Sequence, residues 1–260
     1  MLNIIASRIK QGHRTAAYPR KAPTLPDRFR GLPTINPACV DPSCSACVSI
    51  CPVGALAYRE GKLAIDMGRC LFCGECERAC SKGAITFSRE YRLAARDRQA
   101  LVVGSEKPEL NAALDAKMRK LFGRSLKLRQ VSAGGCNACE ADCNVLGTLV
   151  FDLGRFGIQF VASPRHADGL LITGPVTKNM ELAVRKTYAA VAEPRIVIAV
   201  GACAIAGGPY INHAEACNGA ANVVPVDLYV PGCPPNPWTI LDGLLRLLGQ
   251  VEDRGVSVSV

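Results

Sequence analysis

The chain has 260 residues, of which 49% are hydrophobic and 20% are charged, and this balance excludes global disorder. Its formal net charge of +9 is weak evidence for nucleic-acid binding, since basic and aromatic residues are not interleaved. Fourteen cysteines far exceed the usual number, and without a secretory start they argue against disulfides and for metal-binding thiols.

The N-terminal segment, residues 1–36, is basic and rich in proline. Leu2, Ile5 and Ile9 are spaced to share one face of a short helix that ends before Gly12. We expect an arm that packs on its own domain or on a neighbour; docking on a membrane-bound partner is the alternative. The segment has neither the apolar stretch of a signal sequence nor paired arginines, which predicts a cytoplasmic protein.

Residues 37–90 contain an internal repeat that predicts a small pseudo-symmetric domain with two metal cassettes. The stretch CPVGAL at 51–56 matches CSKGAI at 80–85, and the cysteines before each stretch also align. Such spacing holds 4Fe-4S clusters, and the fourth cysteine of one run binds the other cluster. The predicted ligands of the first cluster are Cys39, Cys44, Cys47 and Cys80, and those of the second are Cys70, Cys73, Cys76 and Cys51.

Two features of the cassettes leave alternatives open. The four-residue gap between Cys39 and Cys44 is longer than usual and also occurs in plant-type 2Fe-2S proteins. The Cys-Pro ending at Cys51 and the repeat itself favour the bacterial 4Fe-4S type, and Ser81, where a proline often stands, affects only the turn. Zinc is the competing metal, but zinc sites usually join two separated CxxC pairs.

Residues 91–127 lack cysteines and are predicted to connect two units, with a helix over 108–122. From about residue 128 onward, apolar runs alternate with helical patterns. The predicted strands are 169–174 and 195–201, and the predicted helices are 178–191 and 237–248. This βαβ pattern predicts an α/β domain with an open parallel sheet of the flavodoxin-like type. The longest apolar stretch, near 196–206, is too short for a membrane span.

Four further cysteines lie in loops of this second unit, after predicted strands. They are Cys136, Cys139, Cys203 and Cys233. Ligands of an open α/β sheet gather at the carboxyl ends of strands, and adjacent glycines let the backbone bend around a cluster. These cysteines are the predicted ligands of a third 4Fe-4S cluster. Cys143 and Cys217 are left over and are expected to be buried small hydrophobes, although Cys143 competes for a ligand position.

The motifs GGCNACEADC, SPRHADGLLITGPVT, GACAIAGGPY and PVDLYVPGCPPNP lie between residues 128 and 248. They resemble the small subunit of membrane-associated, complex I-related nickel–iron hydrogenases, and more distantly the cluster-binding small subunit of respiratory complex I. The complex I subunit typically has adjacent cysteines where this chain has a CxxC pair, which favours the hydrogenase side. The N-terminal part, with FRGLP before its first cysteine, resembles the ferredoxin subunit of formate hydrogenlyase-type complexes.

The chain thus looks like a fusion of two subunits that are usually separate. The predicted divisions are a basic arm (1–36), a two-cluster ferredoxin-like α+β domain (37–90), a connector (91–127), a small-subunit-like domain (128–250) and a tail (251–260). The resemblance implies an oxidoreductase subunit that relays electrons through three 4Fe-4S clusters and has no catalytic residue of its own. It also implies acidic positions near the third cluster: Asp142, three residues after Cys139, and Glu140. We expect a surface or supporting role for both rather than proton transfer.

The implied partners are a large subunit with a nickel–iron site, an upstream iron–sulfur donor subunit and membrane-arm subunits, but no nucleic acid. They would hold the chain on the cytoplasmic face of the inner membrane. One alternative is a partner without nickel, with electrons passing to quinone. Another is a zinc-stabilised or redox-sensing interaction module without electron transfer.

Overall fold

The computed structural model of the chain describes residues 2–41, 44–104 and 116–251. The chain begins with helix α1 (Leu2–Gln11), as the apolar spacing predicted. The isoleucines of this helix remain exposed: the accessible fractions of Ile4, Ile5 and Ile9 are 73%, 57% and 76%. The expected packing of the arm on its own domain therefore does not extend to these side chains.

The later part of the arm packs against the C-terminal unit. Tyr18 and Leu25 are buried in the same hydrophobic cluster as Trp238. The ring centroids of Tyr18 and Trp238 are 5.5 Å apart, and the Tyr18 hydroxyl donates a hydrogen bond of 2.5 Å to Asp242 Oδ1. This contact fixes the segment after α1 to the body of the protein.

The first unit consists of two small antiparallel sheets and two short helices. Its strands are β1 (Pro33–Ile35), β2 (Leu56–Arg59), β3 (Lys62–Asp66), β4 (Ile85–Phe87) and β5 (Val102–Val103), and its helices are α2 (Ala46–Ser49) and α3 (Glu75–Ala79). Strand β1 pairs with β4, and β3 lies between β2 and β5. The sequence repeat is visible here, because a left-handed glycine precedes the strand in each half: Gly54 (φ 58°) before β2 and Gly83 (φ 62°) before β4.

The second unit is a five-stranded sheet with helices around it. Its strands are β6 (Leu126–Ser132), β7 (Ile158–Phe160), β8 (Gly169–Thr173), β9 (Ile196–Val200) and β10 (Leu228–Val230), and its helices are α4 (Ala116–Phe122), α5 (Ala138–Val145), α6 (Lys178–Ala190), α7 (Ala202–Ala206) and α8 (Pro237–Leu247). The spatial order is β10-β9-β8-β6-β7, and every neighbouring pair is parallel. Counted within the unit this is the order 2-1-3-4-5, so the predicted flavodoxin-like open sheet is confirmed.

The predicted strands and helices of this unit appear within a few residues of their expected bounds. Strands β8 and β9 are buried along their whole length, which is why they read as continuous apolar runs. Helix α8 begins where the Asn236 side chain accepts a hydrogen bond from the Trp238 N–H, with Pro237 at the first helical position. Of the helix predicted over 108–122, residues 108–115 lie outside the described residues, and α4 is its described end. Within the described ranges, no helix is both long and apolar enough to cross a bilayer.

The two units are joined by backbone pairing as well as by side-chain packing. The Ala95 N–H donates to Tyr229 O at 3.0 Å, and the Tyr229 N–H donates to Ala95 O at 2.8 Å. Since Tyr229 is in β10, the segment between β4 and β5 adds an antiparallel bridge at that edge of the parallel sheet. One hydrophobic cluster includes Ile65 from the first unit and Ile205 from the second. The cysteine sets of both units are therefore held in a fixed arrangement.

Candidate metal centres

The first predicted set of cysteines surrounds one small cavity. A cavity of about 60 Å³ is lined by all four members: Cys39, Cys44, Cys47 and Cys80. Burial raises the pKa of the Cys47 thiol, and the neighbouring Cys80 thiol raises it further. Cys80 comes from the second cassette, so the structure brings together the crossed set that the spacing predicts.

The second set is the counterpart of the first set in the sequence repeat. Burial raises the pKa of Cys70 to about 12, and the thiols of Cys76, Cys51 and Cys73 add to this shift, although a backbone N–H lowers it. Burial likewise raises the pKa of Cys76 to about 11, with Cys73 and Cys51 contributing. Cys51, from the first cassette, is thus a close neighbour of the three cysteines of the second.

Backbone amides donate to sulfur at equivalent positions of the two halves. The Ala55 N–H donates to Cys51 Sγ at 3.2 Å, and the Ala84 N–H donates to Cys80 Sγ at 3.2 Å. The Phe72 N–H also donates to a thiol sulfur, at 3.3 Å. For Cys80 the Ala84 amide is the main cause of a pKa below the usual value. Such donors stabilise thiolates, which are the form that binds iron, so these residues fit clusters.

The third set lies at the carboxyl end of the parallel sheet. Cys136 and Cys139 follow β6, Cys203 follows β9, and Cys233 follows β10. Burial raises the pKa of Cys203 to about 11, and Cys233 and Cys136 raise it further. The pKa of Cys139 is also raised, first by burial and next by Cys203. The structure therefore brings all four predicted members together.

Two glycines leave room for sulfur in this third set. A Cβ added to Gly201 would lie 2.5 Å from Cys139 Sγ, and one added to Gly208 would lie 2.6 Å from Cys203 Sγ. Both glycines have left-handed backbones, with φ of 94° and 55°. Backbone therefore approaches the thiols where any side chain would collide, as a cluster cradle requires.

The thiols of these sets do not converge on a single point. Over the parts of the chain that the structure describes, no group of three or more His, Cys, Asp or Glu side chains could hold one metal ion. Zinc needs four ligands about 2.3 Å from one centre, whereas the four irons of a 4Fe-4S cluster each take one thiolate. The two runs of four cysteines, rather than two separated CxxC pairs, favour the cluster over zinc.

The two remaining cysteines, Cys143 and Cys217, belong to none of the three sets. Cys143, on α5, is completely buried in the hydrophobic cluster that contains Leu146, and burial raises its pKa to about 12. Cys217 Sγ lies 3.5 Å from Glu181 Oε2, on helix α6. Cys143 thus has the environment of a small hydrophobe, and Cys217 that of a partly buried polar contact.

Glu140 holds two strand ends together beside the third set. It is only 5% exposed and accepts hydrogen bonds from Ser132 Oγ at 2.6 Å and Thr173 Oγ1 at 2.7 Å. Burial raises its pKa, but these hydrogen bonds outweigh burial, so the pKa stands below its usual value. Of the two expected roles, surface or supporting, this environment matches the supporting one for Glu140, because the sheet order places it between the ends of β6 and β8. Asp142 is half-buried, and burial raises its pKa.

A cleft of about 370 Å³ separates the second set from the third. Leu71 and Phe72, between the second-set cysteines Cys70 and Cys73, line one side, and Cys233 lies on the other. The Cys73 thiol is close enough to contribute to the raised pKa of Cys233, after burial and Cys136. No sequence pattern predicted that Cys73 and Cys233 are neighbours, because this depends on how the two units pack.

Known proteins match both units. Residues 38–84 match the family described as 4Fe-4S dicluster domain, and residues 136–247 match the family described as NADH ubiquinone oxidoreductase, 20 kDa subunit. Formate hydrogenlyase subunit 7 of Escherichia coli (strain K12) is 38% identical over 162 residues, which cover 62% of this chain and 64% of that protein. The match therefore spans slightly less than two thirds of the relative's length.

Two solved structures are also similar. A chain of the membrane-bound sulfane sulfur reductase, an archaeal respiratory membrane complex, has a TM-score of 0.46 at 32% identity, covering 55% of this chain and 78% of that one. A chain of the NAD⁺-reducing [NiFe]-hydrogenase in the H2-reduced state has a TM-score of 0.40 at 26% identity, covering 50% and 94%. The family matches confirm the predicted resemblance: residues 136–247 are similar to the NADH ubiquinone oxidoreductase 20 kDa subunit, and residues 38–84 are similar to 4Fe-4S dicluster domains.

Proposed function

We propose that this chain is an electron-transfer subunit of a hydrogenase-like complex and that each of its three thiol sets holds a 4Fe-4S cluster. When bound, such clusters take up and release single electrons. The observation that carries the proposal is the neighbourhood of Cys73 and Cys233, because it brings the second set of one unit close to the third set of the other. The first and second sets are already joined by the exchange of Cys51 and Cys80 between the cassettes.

In this proposal, the residues of this chain bind the clusters and shield them from water. Cys47, Cys70 and Cys76 are buried, which keeps water from one side of the first two sets. Amide donors such as the Ala55 and Ala84 N–H groups stabilise negative charge on sulfur. No residue of the chain transfers a proton in this proposal, since Glu140 is held by two hydroxyl groups as an ionised support for the sheet end.

The first and third sets each have an exposed cysteine that a partner can approach. Cys136 of the third set is exposed, and so is Tyr210, seven residues after Cys203, at 48%. A large subunit with a nickel–iron site docks on this side, in the arrangement that the resemblance implies. Cys44 of the first set is exposed too, and an upstream iron–sulfur donor subunit docks on that side. Membrane-arm subunits complete the complex and hold it on the cytoplasmic face of the inner membrane.

The test is the metal content of the complex isolated anaerobically through this chain. Nickel together with abundant iron, and hydrogen evolution by the same sample, is the expected result. A Cys217→Ser variant should give the same contents, because Cys217 lies outside the three sets. Iron without nickel would contradict the hydrogenase assignment and favour electron transfer to quinone. Absence of iron would contradict electron transfer altogether.

A further inference from the structure

Helix α1 presents a bare apolar surface. Ile5 and Ile9 are four residues apart and so share one face, and both are exposed. Arg8 and Lys10, the sequence neighbours of Ile9, lie about 100° to either side of it. The helix thus has an apolar face with a basic residue at each edge.

The charged side chains in helix α1 and in the segment that directly follows it are all basic. Residues 1–26 contain no Asp or Glu, and the first acidic residue is Asp27. Five basic residues occur before that point, and all of them are exposed: Arg8, Lys10, Arg14, Arg20 and Lys21. A protein groove that accepts a helix usually offers acidic partners at a few defined points, whereas a uniformly basic, apolar segment suits an anionic lipid surface.

A second exposed apolar pair lies on the body of the protein, where the chain that leaves α1 reaches it. The Ala16 N–H donates to Val150 O at 2.9 Å, so the chain leaving α1 joins the body at that loop. Val150 and its neighbour Leu149 are 45% and 67% exposed. Gln11 and Ala16 are five positions apart in sequence, which places the end of α1 within about 18 Å of Ala16.

We propose that α1, together with Leu149 and Val150, docks on an anionic lipid bilayer surface. Ile5 and Ile9 enter the boundary between headgroups and acyl chains, while the basic side chains meet lipid phosphates. The contact is direct, so it does not require a membrane-arm subunit. It is also independent of the proposed electron transfer, because none of the cysteine sets takes part in it.

The experiment is flotation of the purified full-length chain, prepared anaerobically, with phosphatidylcholine vesicles that contain about 30% phosphatidylglycerol. The wild-type chain should float with these vesicles, should float less with pure phosphatidylcholine, and should be released by about 0.5 M salt. The double variant I5E/I9E should bind at least about tenfold more weakly. The matched control is L182E, since Leu182 is 61% exposed on α6, outside the proposed surface; it should bind as the wild type does.

Two results would overturn the proposal. The first is a wild-type chain that binds neither kind of vesicle, together with an I5E/I9E variant that fails to co-purify with its complex. This result would mean that α1 docks in a groove of a partner protein rather than on lipid. The second is equal loss of vesicle binding in I5E/I9E and L182E, which would indicate non-specific adsorption. Circular dichroism and iron content of both variants establish that a loss of binding is not a loss of folding.

Discussion

Gly68 and Ile205 touch across the junction of the two units: a Cβ at position 68 would lie 2.8 Å from Ile205 Cγ2. Gly68 stands two residues before Cys70 of the second set, and Ile205 stands two residues after Cys203 of the third. Close packing between the units thus occurs next to the thiols that they bring together. The spacing of the two sets depends on this contact.

Replacement of Gly68 by alanine should loosen that junction. The new Cβ would also lie 2.7 Å from Arg98 Cζ. The Arg98 side chain cannot move away easily, because it donates two hydrogen bonds, of 2.8 and 2.7 Å, to Asp66. We expect the free energy of unfolding to fall by about 1–3 kcal/mol in anaerobic denaturant titrations. The control is Gly104→Ala, where the nearest atom is 4.0 Å from the new Cβ. Equal stability of the two variants would contradict the tight junction.

Gly201→Ala should abolish iron binding at the third set of cysteines and leave the other two sets intact. Its Cβ would collide with Cys139 Sγ at 2.5 Å, and the left-handed backbone at Gly201 adds strain. We expect the loss of about one third of the iron, with the two ferredoxin-type signals retained in electron paramagnetic resonance spectra. Gly147→Ala, with its nearest contact at 3.4 Å, should keep all of its iron. Full iron content in Gly201→Ala would mean that Cys139 is not a ligand.

Cys139 and Cys143 are one helical turn apart but should differ in their effect on iron. Cys139→Ala should lose about one third of the iron, because Cys139 neighbours the other thiols of the third set. Cys143→Ala should keep its iron and lose about 1 kcal/mol of stability from the small cavity left in the core. Elemental analysis and denaturant unfolding of both variants distinguish the two roles. Iron loss in Cys143→Ala alone would reverse the assignment.

Glu140→Gln should make stability less dependent on pH. Because the pKa of Glu140 is lowered in the folded chain, its ionised form stabilises the fold above about pH 4.3, and this contribution is lost as the pH falls through the folded-state pKa. We expect the variant to be less stable by about 1–3 kcal/mol at pH 7 and by less at acidic pH. Denaturant midpoints of the metal-free chain at several pH values measure this. A stability difference that stays constant with pH would contradict an ionised Glu140.

Local patterns in the sequence predicted most of what positions the candidate sites. The runs that became β8 and β9 are apolar throughout because both faces are covered, and the cassette spacing reflects a loop followed by one helical turn. The burial of Glu140 was missed, since it follows from the strand order rather than from neighbours in sequence. The order of strands was not specified by any local pattern.

The features that local sequence patterns did not predict depend on contacts between segments that are distant in sequence. The backbone pair of Ala95 and Tyr229 and the hydrogen bond from Tyr18 to Asp242 join residues that no periodicity relates. The neighbourhood of Cys73 and Cys233 depends on these contacts, so the alignment of the sets was beyond sequence reasoning. The limits of the arm, the connector and the tail stay predictions.

The central claim is that this single chain holds three 4Fe-4S clusters, and the iron and acid-labile sulfide content of the chain purified alone under anaerobic conditions tests it most directly. The account predicts about twelve iron atoms and about twelve sulfides per chain, with a Mössbauer spectrum of 4Fe-4S clusters only. About eight iron atoms per chain, or zinc in place of iron, would contradict it.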